Sequence, residues 1–391
     1  MEQNKWMIPP NPNALVVAGP GLVADLRLLT EVADREFAAL GVSGKVVSAS
    51  DLSGFRDTLD FPGALVVLPG PDPEIRGLYA GHPQAVWLDV TKRDTPLAAP
   101  VDGTAGTHLH GRGIWGLAWA IRHAVHRLRW PARRVAYGDH PDQWADVRLP
   151  REATGSTPVA VLLHGGYWRS IWGADLMDAL CVDLAERGFA AWNLEYRSPD
   201  LHGWGATTED VARAIGRAAE GASGQVVAVG HSTGGQLALR AAADDSRISL
   251  AVSLAGVLDL VEGDRRHLSS GAVAAALGGP AAQVPEVYGR SSPLERLPLG
   301  TPQLIVQGGG DDLDLVDLGR QYARAAQAAG DQVTYLEMSG DHFDVIDPAS
   351  PIWRATAGVI ADFGTPGPSR GLLNAARDTQ AARLATPSGD G

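Results

Sequence analysis

Short apolar runs alternate with helical patterns along the first third of the chain. Residues 14–18, 45–48, 64–69 and 85–90 are short β-rich runs of the length of a buried parallel strand. Between the first two, residues 22–40 show helical periodicity. This alternation predicts a doubly wound α/β sheet over residues 1–130.

The alternation restarts after a boundary. A helix predicted near residues 114–127 ends in a stretch rich in Arg and Pro, at 128–133. Beyond it, residues 134–137 and 146–149 suggest a hairpin. Further strands are predicted in order along the chain at 159–163, 190–195, 226–230, 250–254, 303–307 and 332–338. Their spacing predicts a second, larger and mostly parallel sheet.

The resulting division has three parts. Residues 131–365 are expected to form the second domain, and the tail at 366–391 is expected to be mobile or packed on a neighbour. The tail shows only a short helical pattern, near 372–384. A length of 391 residues independently favours two domains over one.

Composition argues against several classes of binding partner and of site. The net charge of −12 argues against nucleic acid, since phosphate backbones are bound through clustered Lys and Arg. Cys181 is the only cysteine, so neither an intramolecular disulfide nor a cysteine-based metal site can form. The first residues lack the pattern of a secretory signal, and no run of about 18 apolar residues occurs. We therefore expect a cytoplasmic protein with no membrane partner.

A candidate nucleophile lies at the end of a predicted strand. Residues 226–230 lead into Gly230-His231-Ser232-Thr233-Gly234, which is followed by a helical pattern. Glycines flank such a serine because the tight strand-to-helix turn leaves no room for a Cβ. Ser232 is the predicted nucleophile, and an unreactive glycine-rich turn is the alternative.

An oxyanion hole is predicted at a second glycine-rich loop. The strand at 159–163 ends in His164-Gly165-Gly166-Tyr167-Trp168. An acyl-transfer intermediate carries negative charge on oxygen, which backbone N–H groups must face. We assign this role to the amides of Gly165, Gly166 and Thr233, although the loop could be merely a tight turn.

The remaining catalytic groups are expected after the last two strands. A serine needs a base, and His342 follows the final strand in the order serine, acid, histidine. The orienting acid is expected after residues 303–307, where Asp311 is favoured over Asp312. The other aspartates there are expected to cap the next helix. His164 and His231 are interpreted as structural.

Aromatic residues suggest the kind of substrate. Tyr167, Trp168 and Trp204 are candidates for a pocket that holds a small, flat or aromatic molecule. Packing in the core or in a lid is the alternative for each of them.

These motifs together resemble the α/β-hydrolases of the kynurenine formamidase and small carboxylesterase group, over residues 134–364. The resemblance rests on HGGYWRS at His164, Tyr196-Arg197, GHSTGG at Gly230 and DHFDVID at Asp341. It implies hydrolysis of an aryl-formamide, ester or related bond through an acyl-enzyme, without cofactor or metal. Thr233 departs from the family, which often has alanine there.

Residues 14–126 are similar in outline to type II 3-dehydroquinate dehydratase, whose fold is flavodoxin-like. The matching marks stand after successive strands and before the last helix: Gly19-Pro20-Gly21, Pro69-Gly70, Lys92-Arg93-Asp94 and Gly111–Gly116. The catalytic residues are missing, because Leu68 replaces an asparagine and Val86 or Trp87 stands where the histidine is expected. We expect a non-catalytic domain that serves packing, lid formation or assembly into a homo-oligomer.

Other functions remain open at this point. The same triad could transfer its acyl group to an amine or alcohol, or cyclise it, as a tailoring step in specialised metabolism. The chain could also be bifunctional, with a lyase or dehydratase activity in the first domain. A binding protein without catalysis is a fourth possibility.

Overall fold

The computed structural model describes residues 13–91, 106–153, 156–220, 222 and 224–364. The chain divides into two compact units, Met1–Arg133 with Ile171–Val182, and Arg134–Ser170 with Asp183–Gly391. The predictions for Lys92-Arg93-Asp94 and for the tail at 366–391 lie outside the described residues.

The first unit is built on a five-stranded sheet. Its elements are β1 (Asn13–Ala18), α1 (Leu26–Leu40), β2 (Ser43–Ser48), α2 (Leu52–Leu59), β3 (Ala64–Leu68), α3 (Pro73–Gly77), β4 (Val86–Leu88), β5 (Thr107–Leu109) and α4 (Gly116–Arg129). The strand order is β2-β1-β3-β4-β5, and all four pairings are parallel.

Helices cover both faces of this sheet. Alternate residues of a strand point to opposite faces, so Val16 packs with α1 and α4, whereas Val17 packs with α2 and α3. Helix α1 begins later than predicted because the Asp25 carboxylate accepts the Leu28 amide and caps it there. Strand β5, only three residues long, was not predicted.

The segment Ile171–Val182 belongs to the first unit through buried ion pairs. Arg112 donates two hydrogen bonds to Asp175, at 2.5 and 2.8 Å. His123 lies against Asp178. All four side chains are nearly inaccessible to solvent, so each polar group depends on its partner. Distant residues of the chain thus complete the first unit, which a continuous division at 130–131 did not anticipate.

The second unit has an eight-stranded sheet. Its strands are β6 (Arg133–Ala136), β7 (Trp144–Arg148), β8 (Val159–Leu163), β9 (Ala190–Leu194), β10 (Val226–His231), β11 (Ile248–Leu254), β12 (Gln303–Gly308) and β13 (Val333–Met338). The order is β13-β12-β11-β10-β8-β9-β7-β6. Strand β7 runs antiparallel to β9, and the pairings from β9 to β13 are parallel.

Nine α-helices lie in the described residues after β8, and the first of them begins in the segment that belongs to the first unit: α5 (Asp178–Glu186), α6 (Pro199–His202), α7 (Trp204–Ala219), α8 (Thr233–Asp244), α9 (Leu260–Arg265), α10 (Leu268–Leu277), α11 (Pro285–Ser291), α12 (Leu313–Ala328) and α13 (Pro351–Gly364). Helix α10 is kinked, with left-handed backbone from Ser269 to Gly271.

Parallel strands bring the loops that carry the candidate residues to one edge of the sheet. The loops after β8, β10, β12 and β13 all leave from carboxyl ends of mutually parallel strands. The loops after β12 and β13 touch directly, since the Gly310 amide donates to the Gly340 carbonyl at 2.8 Å. In α/β sheets this edge is the usual place for a ligand site. Within the described residues, no helix is long and apolar enough to cross a membrane.

Candidate active site

Ser232 occupies a strained turn between β10 and α8. Its backbone has φ 54° and ψ −120°, a conformation that non-glycine residues rarely adopt. The Ser232 amide donates to the Leu254 carbonyl at 2.7 Å, which fixes the turn to the neighbouring strand. A Cβ on Gly230 would lie 1.9 Å from the Gly234 carbonyl oxygen. The turn therefore requires glycine beside the serine, as its sequence pattern suggests.

His342 is oriented by Asp311. The distance from His342 Nδ1 to Asp311 Oδ2 is 2.8 Å. The Asp311 side chain is 2% exposed and the His342 side chain 22%, so the carboxylate is enclosed while the ring reaches solvent. Asp312 instead caps α12, because its carboxylate accepts the Asp314 amide at 2.9 Å. If Nδ1 donates to Asp311, the lone pair of His342 is on Nε2.

His231 connects the serine turn to His342. Its Nε2 lies 2.9 Å from the His342 carbonyl oxygen, and the two rings are 4.8 Å apart between centroids. Burial, followed by the charge of His342, lowers the pKa of His231 well below its ordinary value, so the ring is neutral. No hydrogen bond joins Ser232 to His342 among the described residues. Such bonds are often long in resting enzymes and tighten with substrate.

The loop after β8 lies against the serine. A Cβ on Gly165 would be 2.8 Å from the Ser232 Cβ and 2.8 Å from the His231 carbonyl oxygen. The amides of Gly165, Gly166 and Thr233 donate no hydrogen bond to any acceptor in the described part of the chain. These are the three predicted oxyanion donors.

The same loop has an unusual backbone. Gly166, Tyr167 and Trp168 all have positive φ, of 120°, 52° and 57°. A left-handed conformation at two bulky residues in succession costs about 1–3 kcal/mol for each. Strain of this kind persists only where surrounding contacts determine the backbone, so the loop is held in one shape.

His164 and Tyr196 supply part of that support. The His164 ring stacks on Tyr196 with centroids 4.3 Å apart, and the Tyr196 hydroxyl donates to the His164 carbonyl at 2.8 Å. The two His164 nitrogens lie 2.8 Å from the Gly165 carbonyl and 3.2 Å from a Glu195 oxygen. Burial and the Glu195 charge raise the pKa of Tyr196 well above its ordinary value, so the hydroxyl stays a donor.

Two of the three predicted pocket aromatics pack as core residues. Trp168 is 3% exposed, and its indole N–H donates to Gln236 at 3.2 Å. Gln236 in turn donates to the Ser291 carbonyl at 2.8 Å, and the Trp204 indole donates to the Ser291 hydroxyl at 2.7 Å. Tyr167 is half-buried, and burial raises its pKa. Tyr167 and Trp204 are thus both partly exposed, and of the two Tyr167 lies on the loop after β8.

Sequence reasoning missed two supporting residues. Gln307 donates to Asp311 Oδ2 at 3.0 Å from the end of β12. Gln236 joins the two tryptophans and is fully buried. The sequence signal for both residues is a glutamine within or beside an apolar run. A glutamine buried there needs hydrogen-bond partners, and those partners are candidates for the site. A metal could be held elsewhere in this unit, by His140, Asp142 and His202.

Comparison with known proteins identifies the kind of domain. The family model BD-FAE matches residues 145–318. The chain is 29% identical over 278 residues to Esterase LipC of Mycobacterium tuberculosis (strain ATCC 25618 / H37Rv), covering 62% of this chain and 66% of that protein. It is 23% identical over 229 residues to Kynurenine formamidase of Danio rerio, covering 54% of this chain and 75% of that protein.

Solved structures agree on the fold. A bacterial heroin esterase aligns with a TM-score of 0.50 at 21% identity, over 59% of this chain and 82% of its own. A truncated carbohydrate esterase from gut microbiota aligns with a TM-score of 0.51 at 17% identity, over 59% of this chain and 95% of its own. The second unit therefore has an α/β-hydrolase fold, and its residues 145–318 are similar to the BD-FAE family.

Proposed function

From the premise of an esterase-like α/β-hydrolase domain, we propose that this protein is a serine hydrolase that cleaves an ester, amide or formamide bond of a small molecule. Ser232, His342 and Asp311 are its triad. The observation that carries the proposal is the 2.8 Å contact of His342 with Asp311, together with the contact of His342 with the residue preceding a strained serine.

The proposed reaction has two halves. Ser232 Oγ attacks the carbonyl carbon while His342 Nε2 takes its proton, and the buried Asp311 carboxylate stabilises the imidazolium. The resulting oxyanion accepts hydrogen bonds from the amides of the Gly165 loop and of Thr233. His342 then gives the proton to the leaving alcohol or amine. In the second half, water attacks the acyl-enzyme with His342 again as base, and Ser232 is restored.

Two observations suggest the substrate class: the names of the two relatives and the residues of the loop after β8. One relative is called an esterase and the other a kynurenine formamidase, and both bond types pass through the same tetrahedral chemistry. Tyr167, half-buried on the loop beside Ser232, offers a ring for a flat or aromatic acyl or leaving group. We propose a small substrate with an aromatic part.

The test is activity on two substrates side by side. The purified chain is assayed with p-nitrophenyl butyrate and with N-formylkynurenine, with Ser232→Ala as control. We expect turnover of at least one substrate and a loss of kcat/KM of about 10³-fold or more in the variant, since the residual catalysis of triad enzymes is small. Equal activity of wild type and Ser232→Ala would exclude Ser232 as nucleophile.

For the first unit we propose a flavodoxin-like, dehydroquinase-like domain without catalysis. Its strand order, β2-β1-β3-β4-β5, is the flavodoxin-like order, which supports this proposal. Asp89, which follows β4, is held by two hydrogen bonds from Arg76 and is not available as a base. The full chain should not dehydrate 3-dehydroquinate at a rate above background. Turnover that survives Ser232→Ala would contradict the proposal.

A further inference from the structure

Three potential metal ligands converge on one side of the second unit, outside the proposed triad. His140 and Asp142 lie in the connection between β6 and β7, and His202 is the last residue of α6. One ligand atom from each lies within 4.8 Å of the others. Asp142 Oδ2 is 3.6 Å from His140 Nδ1 and 3.8 Å from His202 Nε2.

The distances between the ligand atoms of the three side chains suit a bound cation better than direct hydrogen bonds between the side chains. Neither distance from the Asp142 carboxylate to a histidine nitrogen is short enough for a hydrogen bond. The three side chains therefore face one another without a hydrogen bond between them. In a tetrahedral zinc site with bonds of about 2.0–2.2 Å, neighbouring ligand atoms are about 3.3 Å apart. Shifts of less than about 1 Å for each ligand atom would give that geometry.

The connection that presents two of the ligands is preorganised. The Gln143 side chain accepts the His140 amide at 3.0 Å and donates to Asp210 at 2.5 Å. Gln143 is only 4% exposed, so the turn is anchored from inside the unit. The Asp142 amide donates to His140 Nδ1 at 3.2 Å, which holds the imidazole in the connection, and a cation bound at this nitrogen would take the place of that hydrogen bond.

The third ligand belongs to an element that supports the loop beside Ser232. Asp200, in α6 with His202, accepts the Ser170 amide at 3.0 Å and the Ser170 hydroxyl at 2.9 Å. Ser170 follows two residues after Trp168, at the end of the strained loop. A cation that fixes His202 would therefore also fix the support of that loop.

We propose that His140, Asp142 and His202 bind a zinc-class divalent cation, with solvent at the fourth position. Two imidazoles and a carboxylate suit Zn²⁺ better than the all-oxygen cations Mg²⁺ and Ca²⁺. The cation has a structural role: it joins the β6–β7 connection to α6. Its effect on turnover rests on the proposed hydrolase function, but its binding does not.

The test is metal binding by the full chain. After chelation and dialysis, Zn²⁺ is titrated by calorimetry, and Co²⁺ is added separately to record its visible spectrum. We expect about one high-affinity site in each chain, a tetrahedral Co²⁺ spectrum and a higher Tm with Zn²⁺. His202→Ala should weaken binding at least about 10-fold, since even supporting residues of metal sites cost that much. His202 is exposed, so the variant should fold.

A matched control separates this site from adventitious binding. His82→Gln removes a partly exposed histidine of the first unit and should leave affinity, spectrum and the Zn²⁺-dependent Tm unchanged. Asp142→Asn gives a second, smaller change in the site and should also weaken binding. Adventitious binding only, with wild type and His202→Ala equal, would overturn the proposal, as would the absence of zinc binding to wild type. Both results are independent of whether the chain hydrolyses any substrate.

Discussion

Each unit places an aspartate after a parallel strand and a histidine against it, yet the two pairs are built differently. In the first unit, Asp89 after β4 lies 2.9 Å from His108 Nε2 and accepts two hydrogen bonds from Arg76, at 2.6 and 2.8 Å. In the second unit, Asp311 after β12 contacts His342, and its other donors among the described residues are neutral, Gln307 and the Asp312 amide.

The difference lies in what balances the carboxylate charge. Burial raises the pKa of Asp89, but hydrogen bonds and charge from Arg76 and His108 outweigh burial and hold it well below its ordinary value. A permanent cation already neutralises Asp89, which leaves little charge to stabilise an imidazolium. Asp311 has no arginine or lysine partner among the described residues, and the group that it would balance is His342 once that ring takes a proton. Neighbouring side chains, more than the aspartate–histidine pair itself, therefore distinguish the proposed catalytic pair from the pair in the first unit.

Exchanging each aspartate for asparagine sharpens this comparison most. Asp311→Asn should lower kcat/KM by about 10³–10⁴-fold, because the amide cannot stabilise the imidazolium and favours the wrong tautomer. Asp89→Asn should leave kcat/KM within about twofold, since it touches no proposed catalytic group. Steady-state kinetics on one ester substrate gives kcat/KM for the two variants, and circular dichroism checks that both are folded. An equal loss in both variants would break the comparison.

A methyl group on Gly165 should have the next largest effect. Gly165→Ala places its Cβ 2.8 Å from the Ser232 Cβ, so the loop or the serine must move. We expect a loss in kcat of about 10²-fold, the cost of a displaced oxyanion donor. Gly358→Ala is the control: it lies in α13 with nothing within 4 Å of the new Cβ. The control should gain about 0.5–1 kcal/mol of stability and keep its kcat. Full activity in Gly165→Ala would remove this loop from the proposed mechanism.

Gln307 should contribute less, because it acts through Asp311. Gln307→Leu removes one of the donors to the Asp311 carboxylate. We expect kcat to fall by about 10-fold with KM unchanged, the signature of an interaction that matters mainly in the transition state. Gln307→Glu offers no matching N–H donor and should not restore kcat. A change in KM alone would point to a role in substrate binding instead.

The smallest expected effect is the acid sensitivity of the first unit. The pKa of Asp89 is lower in the folded state than in the unfolded chain, where it is about 3.9. The pair therefore stabilises the fold at pH values above about 4, and this stabilisation is lost as the pH falls further towards the folded pKa. Asp89→Asn should cost about 1–3 kcal/mol at pH 7 and show less change in stability between pH 5 and pH 3. Urea unfolding at these pH values measures both. A pH dependence identical to wild type would contradict this assignment.

Local pattern predicted much of the fold and of the site. Continuous apolar runs predict buried strands such as Val159–Leu163, because parallel strands are covered on both faces. Ser232 and Asp311 could be chosen because glycine spacing and position after a strand are properties of the sequence itself. The interpretation of Tyr167 as a pocket residue stays a prediction.

Features that depend on distant contacts were not predictable. Strand β5 is short, and its pairing with β4 defines it more than its composition does. The return of Ile171–Val182 to the first unit depends on Arg112 and His123, about 60 residues earlier in the sequence. The left-handed backbone at Tyr167 and Trp168 contradicts the preference of both residue types, so only tertiary contacts can impose it.

Covalent labelling of Ser232 tests the central claim most directly. The full chain is treated with a fluorophosphonate, digested, and its peptides are mapped by mass spectrometry. The account predicts one adduct, on the peptide that carries Ser232, with slower labelling in Asp311→Asn, an unchanged rate in Asp89→Asn and no adduct in Ser232→Ala. An adduct on another residue, or labelling that persists in Ser232→Ala, would contradict it.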